Sequence, residues 1–168
     1  MIRELGKMRC LHPHSYLLMF LFLFFALPME TQSVEPIKLL LDFEDTDKSG
    51  RWMVVNDDVM GGVSRSNVKL HSDGYLLFGG EVSTNYGGGF ASVRTDYKNW
   101  EIEKYEGFIL RVKGDGKTYQ FRCRLGNNIN QIAYRHYFQA DNEDWQEIIL
   151  PFKEFLPTYR GRVLTNIP

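Results

Sequence analysis

The stretch NDDVMGGVSRS, residues 56–66, concentrates side chains that could do chemistry in one short segment. The adjacent carboxylates of Asp57 and Asp58 follow Asn56 and precede a pair of glycines. Asn and Asp side chains form turns with the backbone, and glycine adopts the positive φ angles that tight turns need. We expect a loop ordered by its own hydrogen bonds. The alternative is that Asn56, Asp57 and Asp58, together with the glycine-rich segment NYGGGF (85–90), line one end of the fold and hold a ligand.

Arginine is the second candidate for chemistry. Three successive β-prone segments, FILRV (108–112), YQFRCRL (119–125) and YRHYF (134–138), carry arginine at positions that alternate with apolar residues. Successive side chains of a strand point to opposite faces, so these arginines lie on the face opposite the apolar residues. If the segments are neighbours in one sheet, they form a stripe of Arg111, Arg122, Arg124, Arg135 and Tyr137.

Such a stripe needs compensation, because like charges directly opposite one another destabilise a sheet. One interpretation is a solvated face with interleaved carboxylates. The other is a docking surface, because guanidinium groups bind carboxylates and phosphates in bidentate fashion. The second interpretation implies an acidic protein segment or an anionic glycan as the partner.

Residues for catalysis or metal binding are sparse. Zinc needs three or four clustered ligands, whereas His71 and His136 are the histidines that follow residue 33, and His136 lies on the apolar side of its segment. Ser64 lacks the glycine-flanked elbow of a hydrolase. The segment DTDKSG (45–50) imitates the start of an EF-hand loop, but Asn56 occupies the position that requires glutamate. We predict no enzyme, no cofactor and no metal site; a structural calcium remains an alternative.

The N-terminus has the pattern of a secretory signal peptide. Arg3, Lys7 and Arg9 precede an unbroken apolar run, YLLMFLFLFFAL (16–27), which as a helix would span about 18 Å. A hydrocarbon core of about 30 Å is too thick for it, so no stable membrane span is expected. The pattern predicts a signal peptide over residues 1–33 and export to the periplasm or the exterior. An uncleaved membrane anchor is the alternative.

Composition and strand spacing define the rest of the chain. The formal net charge of −1 gives no general attraction to nucleic acid. Short β-prone segments bounded by Gly, Asn or Asp follow one another from residue 34 to residue 168, and KGDGK (113–117) is typical of a hairpin turn. This spacing predicts one all-β domain, an antiparallel β-sandwich. Cys10 would leave with the signal peptide, and Cys123 would be a buried thiol.

Four ordered blocks resemble a known family: WMVVNDDVMGGVSRS (52–66), FGGEVSTNYGGGFASVRT (78–95), GFILRVKGDGKTYQFRCR (107–124) and WQEIILPFKEFLPTYRGRVL (145–164). Together they resemble the NADH:ubiquinone oxidoreductase complex I intermediate-associated protein 30 family. The resemblance implies a galactose-binding-like jelly roll and a respiratory complex I assembly factor, a non-enzymatic module that engages a protein partner such as a membrane-complex subunit. The kinship of jelly rolls with sugar-binding domains leaves a carbohydrate-binding module with a glycan ligand as the alternative.

Two departures from the family qualify the resemblance. Members usually continue into further strands after the last block, so the C-terminal strands of the sandwich are expected to be missing and an edge to be unpaired. The predicted export also separates this chain from an assembly role inside an organelle.

Overall fold

The chain is an all-β protein with short helical turns, as the spacing of its segments predicts. The computed structural model describes residues 2–11, 37–126, 132–141, 144–165 and 167. The strands are β1 Ile2–Leu11, β2 Leu39–Leu41, β3 Trp52–Asn56, β4 Arg65–His71, β5 Tyr75–Glu81, β6 Ala91–Thr95, β7 Gly107–Lys113, β8 Lys117–Arg124, β9 Ala133–Ala140, β10 Gln146–Pro151, β11 Leu156–Tyr159 and β12 Arg162–Val163. Helix α1 is Thr46–Ser49, and 3₁₀ turns cover Asp57–Met60, Asn85–Gly87 and Phe152–Glu154.

Within the described residues the strands form two sheets and a separate pair, and every pairing there is antiparallel. The first sheet has the order β10-β7-β1-β5-β4, with β2 on β1. The second has the order β12-β11-β9-β8, and β3 pairs with β6. This arrangement confirms the predicted all-β class with antiparallel sheets.

Aromatic side chains join the two sheets. Phe108 of β7 is fully buried, and its ring lies 5.1 Å from the ring of Phe121 on β8. The rings of Phe152 and Phe155, at the turn after β10, lie 4.9 and 6.0 Å from the Phe108 ring. Edge-on and tilted contacts at these distances are favourable beyond the area that they bury. One face of β8 is thereby fixed to the core, and its other face is turned away from it.

The first strand bears on the expected start of the domain. Residues 2–11 were expected to lie outside the fold, but β1 lies between β5 and β7 in the first sheet. Met8 and Cys10 are 2% and 0% exposed, because alternate residues of the strand enter the core. In this structure the first sheet therefore includes residues that precede Val34. Cleavage after residue 33 stays a prediction, and it would remove this strand from the sheet.

The basic residues of this segment have partners in the fold. Lys7 lies 3.6 Å from an Asp42 carboxylate oxygen and 3.3 Å from one of Glu44, and Arg9 forms an ion pair with Glu147. The apolar run 16–27 lies outside the described residues. Among the ranges that the structure does describe, no helix is long and apolar enough to cross a membrane.

Both cysteines are free thiols, and the pKa of each is raised. Burial raises the pKa of Cys10 to about 12, although Lys38 acts in the opposite direction, and burial raises the pKa of Cys123 to about 11. The thiolate is the reactive form. We expect both thiols to react with a maleimide at pH 8 at least about 100-fold more slowly in the native protein than in 6 M guanidinium. Rapid labelling of Cys10 in the native protein would show that β1 leaves the sheet.

Candidate functional site

The acidic loop is built around one buried carboxylate. Asp57 is 0% exposed and accepts hydrogen bonds from the backbone N–H of Ser64 at 2.9 Å and from the Ser64 hydroxyl. It also accepts from the N–H groups of Gly89 at 2.6 Å and Phe90 at 3.2 Å. The carboxylate thus ties the loop after β3 to the loop before β6.

Two glycines allow this close approach. A Cβ at Gly62 or at Gly88 would overlap the Asp57 carboxylate, so neither position accommodates a side chain without movement of the loops. The hydrogen bond from Ser64, followed by those from Gly89 and Phe90, lowers the pKa of Asp57 from its ordinary 3.8 to about 2 against the effect of desolvation. A carboxylate that accepts several hydrogen bonds in this way stays ionised.

The neighbouring residues of the loop have separate roles. Asn56 accepts a hydrogen bond from the hydroxyl of Ser66 at 2.5 Å, which ties the end of β3 to β4. Asp58 is exposed. The oxygens of Asp57 already accept four hydrogen bonds from the protein, two of them from the loop before β6, so the geometry favours a structural role for this carboxylate over the ligand-holding alternative.

The second sheet carries the arginines on its outer face. Arg122 of β8 lies directly opposite Arg135 of β9, and Arg124 opposite Ala133, in an antiparallel register. Tyr137 lies opposite Gln120, and the guanidinium of Arg135 lies 5.2 Å from the centre of its ring. The alternate residues of both strands, Tyr119, Phe121, Cys123, Tyr134 and Phe138, pack on the core.

Arg111 does not belong to this group, so the predicted five-residue stripe is wrong in one member. It lies on β7 in the first sheet, opposite Glu147, and its guanidinium lies 4.7 Å from the centre of the Trp145 ring. The alternation along FILRV is consistent with this placement, but alternation does not tell which sheet a strand joins. In the first sheet Glu147 pairs with Arg9 as well as facing Arg111.

A further arginine, Arg94 on β6, was missed by the sequence prediction. Burial lowers its pKa, and the charges of Arg124 and, less strongly, Arg122 lower it further, so Arg94 lies within electrostatic range of both. The sequence does show Arg94 on a short strand, but nothing in its local pattern indicates that β6 approaches β8. We define the arginine face as the outer surface formed by Arg94, Arg122, Arg124, Arg135 and Tyr137.

The arginine face is electrostatically uncompensated. In the described ranges, no carboxylate forms an ion pair with any of its four arginines. Burial lowers the pKa of Arg122, and the charges of Arg124 and Arg135 contribute. The Nε atoms of Arg124 and Arg135 are buried without a hydrogen-bond partner. Like charges opposite one another cost stability, so the face is suited to an anion from outside.

The other sequence candidates have local roles. Asp45 of the EF-hand-like segment caps α1 by accepting from the N–H of Asp47 at 3.0 Å, and it pairs with Lys48 at 2.9 Å. His136 contacts the ring of Phe155 and lies 3.2 Å from a Glu154 oxygen, as a histidine at the edge of the core would. Among the described residues, no three His, Cys, Asp or Glu side chains form a group that could hold a metal ion.

The fold and the arginine face together define an antiparallel β-sandwich domain with a basic, unpaired surface. The family model described as Complex I intermediate-associated protein 30 matches residues 41–168, and the chain belongs to this family. This confirms the resemblance carried by the four sequence blocks. No solved structure matches the chain.

Three curated relatives are similar over most of this chain. Proteins named "Complex I intermediate-associated protein 30, mitochondrial" are 25% identical in Drosophila melanogaster and 22% identical in Mus musculus, over 74% and 81% of this chain. An uncharacterised protein of Schizosaccharomyces pombe is 32% identical over 70% of this chain. The chain spans 49%, 48% and 61% of the lengths of the fly, mouse and yeast relatives, in that order.

The relatives overturn the predicted localisation. Both proteins named for complex I are also named as mitochondrial, which conflicts with export by a signal peptide, so that prediction is wrong. The structure gives a physical reason for the error. Lys7 and Arg9 resemble the basic start of a signal peptide, but they lie in β1, where Lys7 pairs with two carboxylates and Arg9 with one.

Proposed function

We propose that this chain is a non-enzymatic protein-binding domain that associates with a protein of a complex I intermediate, through the arginine face. The names of the relatives support this kind of partner, and the arginines without ion-pair partners support this binding surface. The observation that carries the proposal is the direct opposition of Arg122 and Arg135 beside Arg124. An acidic surface on the partner would relieve this repulsion on binding.

The energetics separate a docking role from a folding role. Exposed ion pairs are worth about 0–1 kcal/mol, and here no carboxylate pairs with the arginines in the described ranges, so folding gains little from them. At a desolvated interface an arginine contributes roughly 2 kcal/mol or more. The carbohydrate-binding alternative stays a prediction.

The double substitution Arg122→Ala with Arg124→Ala tests the proposal. We expect the melting temperature to change by less than about 3 °C, and the retention of an isolated complex I intermediate in a pull-down to fall about thirty-fold. The affinity of the unaltered protein should fall as salt rises from about 50 to 300 mM, because salt screens the attraction.

Arg111→Ala is the matched control, since it removes one arginine from the other sheet, where Glu147 lies opposite. In the pull-down this variant should retain as much of the intermediate as the unaltered protein does. Unchanged retention of the double variant would refute the docking role. Unfolding of the double variant would show that the arginines are structural instead.

A further inference from the structure

Two cross-strand pairs lie next to each other on the outer face of the hairpin formed by β8 and β9. Arg122 lies directly opposite Arg135, and Gln120 lies directly opposite Tyr137. The residues between them in the chain pack on the core, so these four side chains share the opposite face. The Cβ atoms of directly opposite residues lie about 5 Å apart. The strand register therefore places two guanidinium groups within reach of one ligand.

Both arginines of this pair are held in place along the hairpin. The Nε of Arg122 donates a hydrogen bond to the side-chain oxygen of Gln120. The guanidinium of Arg135 lies 5.2 Å from the centre of the Tyr137 ring. Both side chains thus extend in the same direction, from their own pair towards the pair of Gln120 and Tyr137. Side chains that are ordered in advance lose less entropy when a ligand binds.

These contacts occupy few of the hydrogen-bond donors of the two guanidinium groups. An arginine has five N–H donors in one plane, and stacking on a ring uses the face of that plane instead of its edges. The Nε of Arg135 is buried without a hydrogen-bond partner. In the part of the chain that the structure describes, no carboxylate pairs with Arg122 or Arg135. The pair therefore presents two donor edges and two uncompensated charges.

A phosphoryl group matches this pair better than a carboxylate does. A carboxylate has one negative charge and two oxygens, and it pairs in bidentate fashion with one guanidinium. A phosphorylated side chain has a charge of about −1.5 to −2 at pH 7 and three acceptor oxygens. Three oxygens can accept hydrogen bonds from both guanidinium groups at once, and the two negative charges balance the two positive ones.

We propose that Arg122 and Arg135 together bind the phosphoryl group of a phosphorylated side chain in the partner protein. This inference rests on the proposed function, because it specifies the ligand of the arginine face. A protein is favoured over a lipid as the source of the phosphate, since the formal net charge of −1 gives no general attraction to an anionic membrane. Tyr137, which is 50% exposed beside the pair, offers ring surface to a neighbouring side chain of the same segment.

Fluorescence anisotropy with labelled peptides tests the inference on the full chain. The probe is Gly-Ala-phosphoserine-Ala-Gly, compared with forms that have glutamate or serine at the central position. We expect the phosphoserine form to bind at least about ten-fold more tightly than the glutamate form, because only the phosphoryl group engages both arginines. The serine form should bind more weakly than either.

Substitution by lysine separates paired hydrogen bonding from charge, because lysine keeps the charge and lacks the planar fork of donors. Arg135→Lys should weaken binding of the phosphoserine form at least about five-fold. Arg111→Lys is the matched control, since Arg111 also lies over a ring, that of Trp145, but on the first sheet with Glu147 opposite. It should leave the affinity unchanged. Tyr137→Ala should weaken the phosphoserine form about three-fold, and Tyr137→Phe, which keeps the ring, should not.

Four results would overturn the inference. Equal affinity for the phosphoserine and glutamate forms would show that charge alone explains binding. Absence of binding by the phosphoserine form would remove the proposed ligand. Tighter binding to vesicles of phosphatidic acid than to the phosphopeptide would assign the pair to a lipid phosphate. Displacement of the probe by inorganic phosphate at concentrations similar to those of free peptide would show that the pair takes a free anion.

The isolated complex I intermediate, treated with a phosphatase, separates this inference from the proposed function. We expect its retention to fall to the level seen with the Arg122→Ala, Arg124→Ala variant. If the treatment changes nothing while the double variant loses retention, the phosphoryl ligand is wrong and the docking face stands. If the phosphopeptide binds as expected but the double variant retains the intermediate fully, the pair is a phosphoryl site and the proposed function is wrong.

Discussion

A chain that begins at Val34 should fail to form the native sheet. Removal of β1 would separate β5 from β7, both of which pair with it, and would withdraw the buried side chains of Met8 and Cys10 from the core. Loss of a buried Met or Leu side chain costs about 2–5 kcal/mol, and a typical domain is stable by only about 5–15 kcal/mol. We therefore expect no cooperative thermal transition and no near-ultraviolet circular dichroism signal.

The control for this deletion is Lys7→Ala in the full chain. It removes the ion pairs with Asp42 and Glu44, which involve partly exposed side chains, and leaves the buried face of β1 intact. Its melting temperature should fall by no more than about 3 °C, since such pairs contribute about 0–1 kcal/mol. A shortened chain that melts cooperatively near the temperature of the full chain would contradict the role of β1 and would support the predicted start at Val34.

Replacement of Asp57 by asparagine should lower the melting temperature by on the order of 10 °C. The substitution keeps the size of the side chain but removes the charge that accepts hydrogen bonds from Ser64, Gly89 and Phe90. An amide nitrogen in place of one oxygen would also face donors. Thermal unfolding followed by circular dichroism at pH 7 measures the effect, and the exposed Asp58→Asn is the control that should change little.

The same carboxylate makes stability depend on pH in a defined direction. The pKa of Asp57 is lowered to about 2 in the folded protein, below its ordinary 3.8, so the folded state favours the ionised form. Its contribution is present above about pH 4 and is lost as the pH falls towards 2. Between pH 5 and pH 2.5 the melting temperature of Asp57→Asn should therefore fall less than that of Asp58→Asn. Equal losses in the two variants would show that Asp57 does not titrate with folding.

The local roles within the fold could be predicted from short patterns. Alternation along YQFRCRL and YRHYF placed Arg122, Arg124, Arg135 and Tyr137 on the face away from the core, because side-chain direction in a strand has a period of two. The turn-forming residues of NDDVMGG likewise predicted a self-ordered loop. Side-chain direction and turn formation depend on neighbouring residues, which the sequence displays directly. The hydrogen bonds of Asp57 with Gly89 and Phe90 depend on the tertiary structure.

The N-terminal segment has a sequence pattern that is compatible with both a signal peptide and a β-strand. Basic residues before an apolar run are typical of a signal peptide, but Lys7 and Arg9 alternate with Met8 and Cys10, as residues of a strand do. The pairing partners of such a strand, β5 and β7, lie about 70 and 100 residues further along the chain. No local feature distinguishes a strand with distant partners from a basic leader.

The sequence by itself determined the all-β class, the face on which most of the arginines lie, and the family. Tertiary structure alone decided that Arg111 lies in one sheet with Glu147 opposite, whereas Arg94 approaches Arg122 and Arg124 from the separate β3–β6 pair. The physical reason is that alternation fixes the direction of a side chain relative to its own strand. Which strands become neighbours is decided by hydrogen bonding and packing between residues far apart in the chain, and the charge of a surface depends on those neighbours.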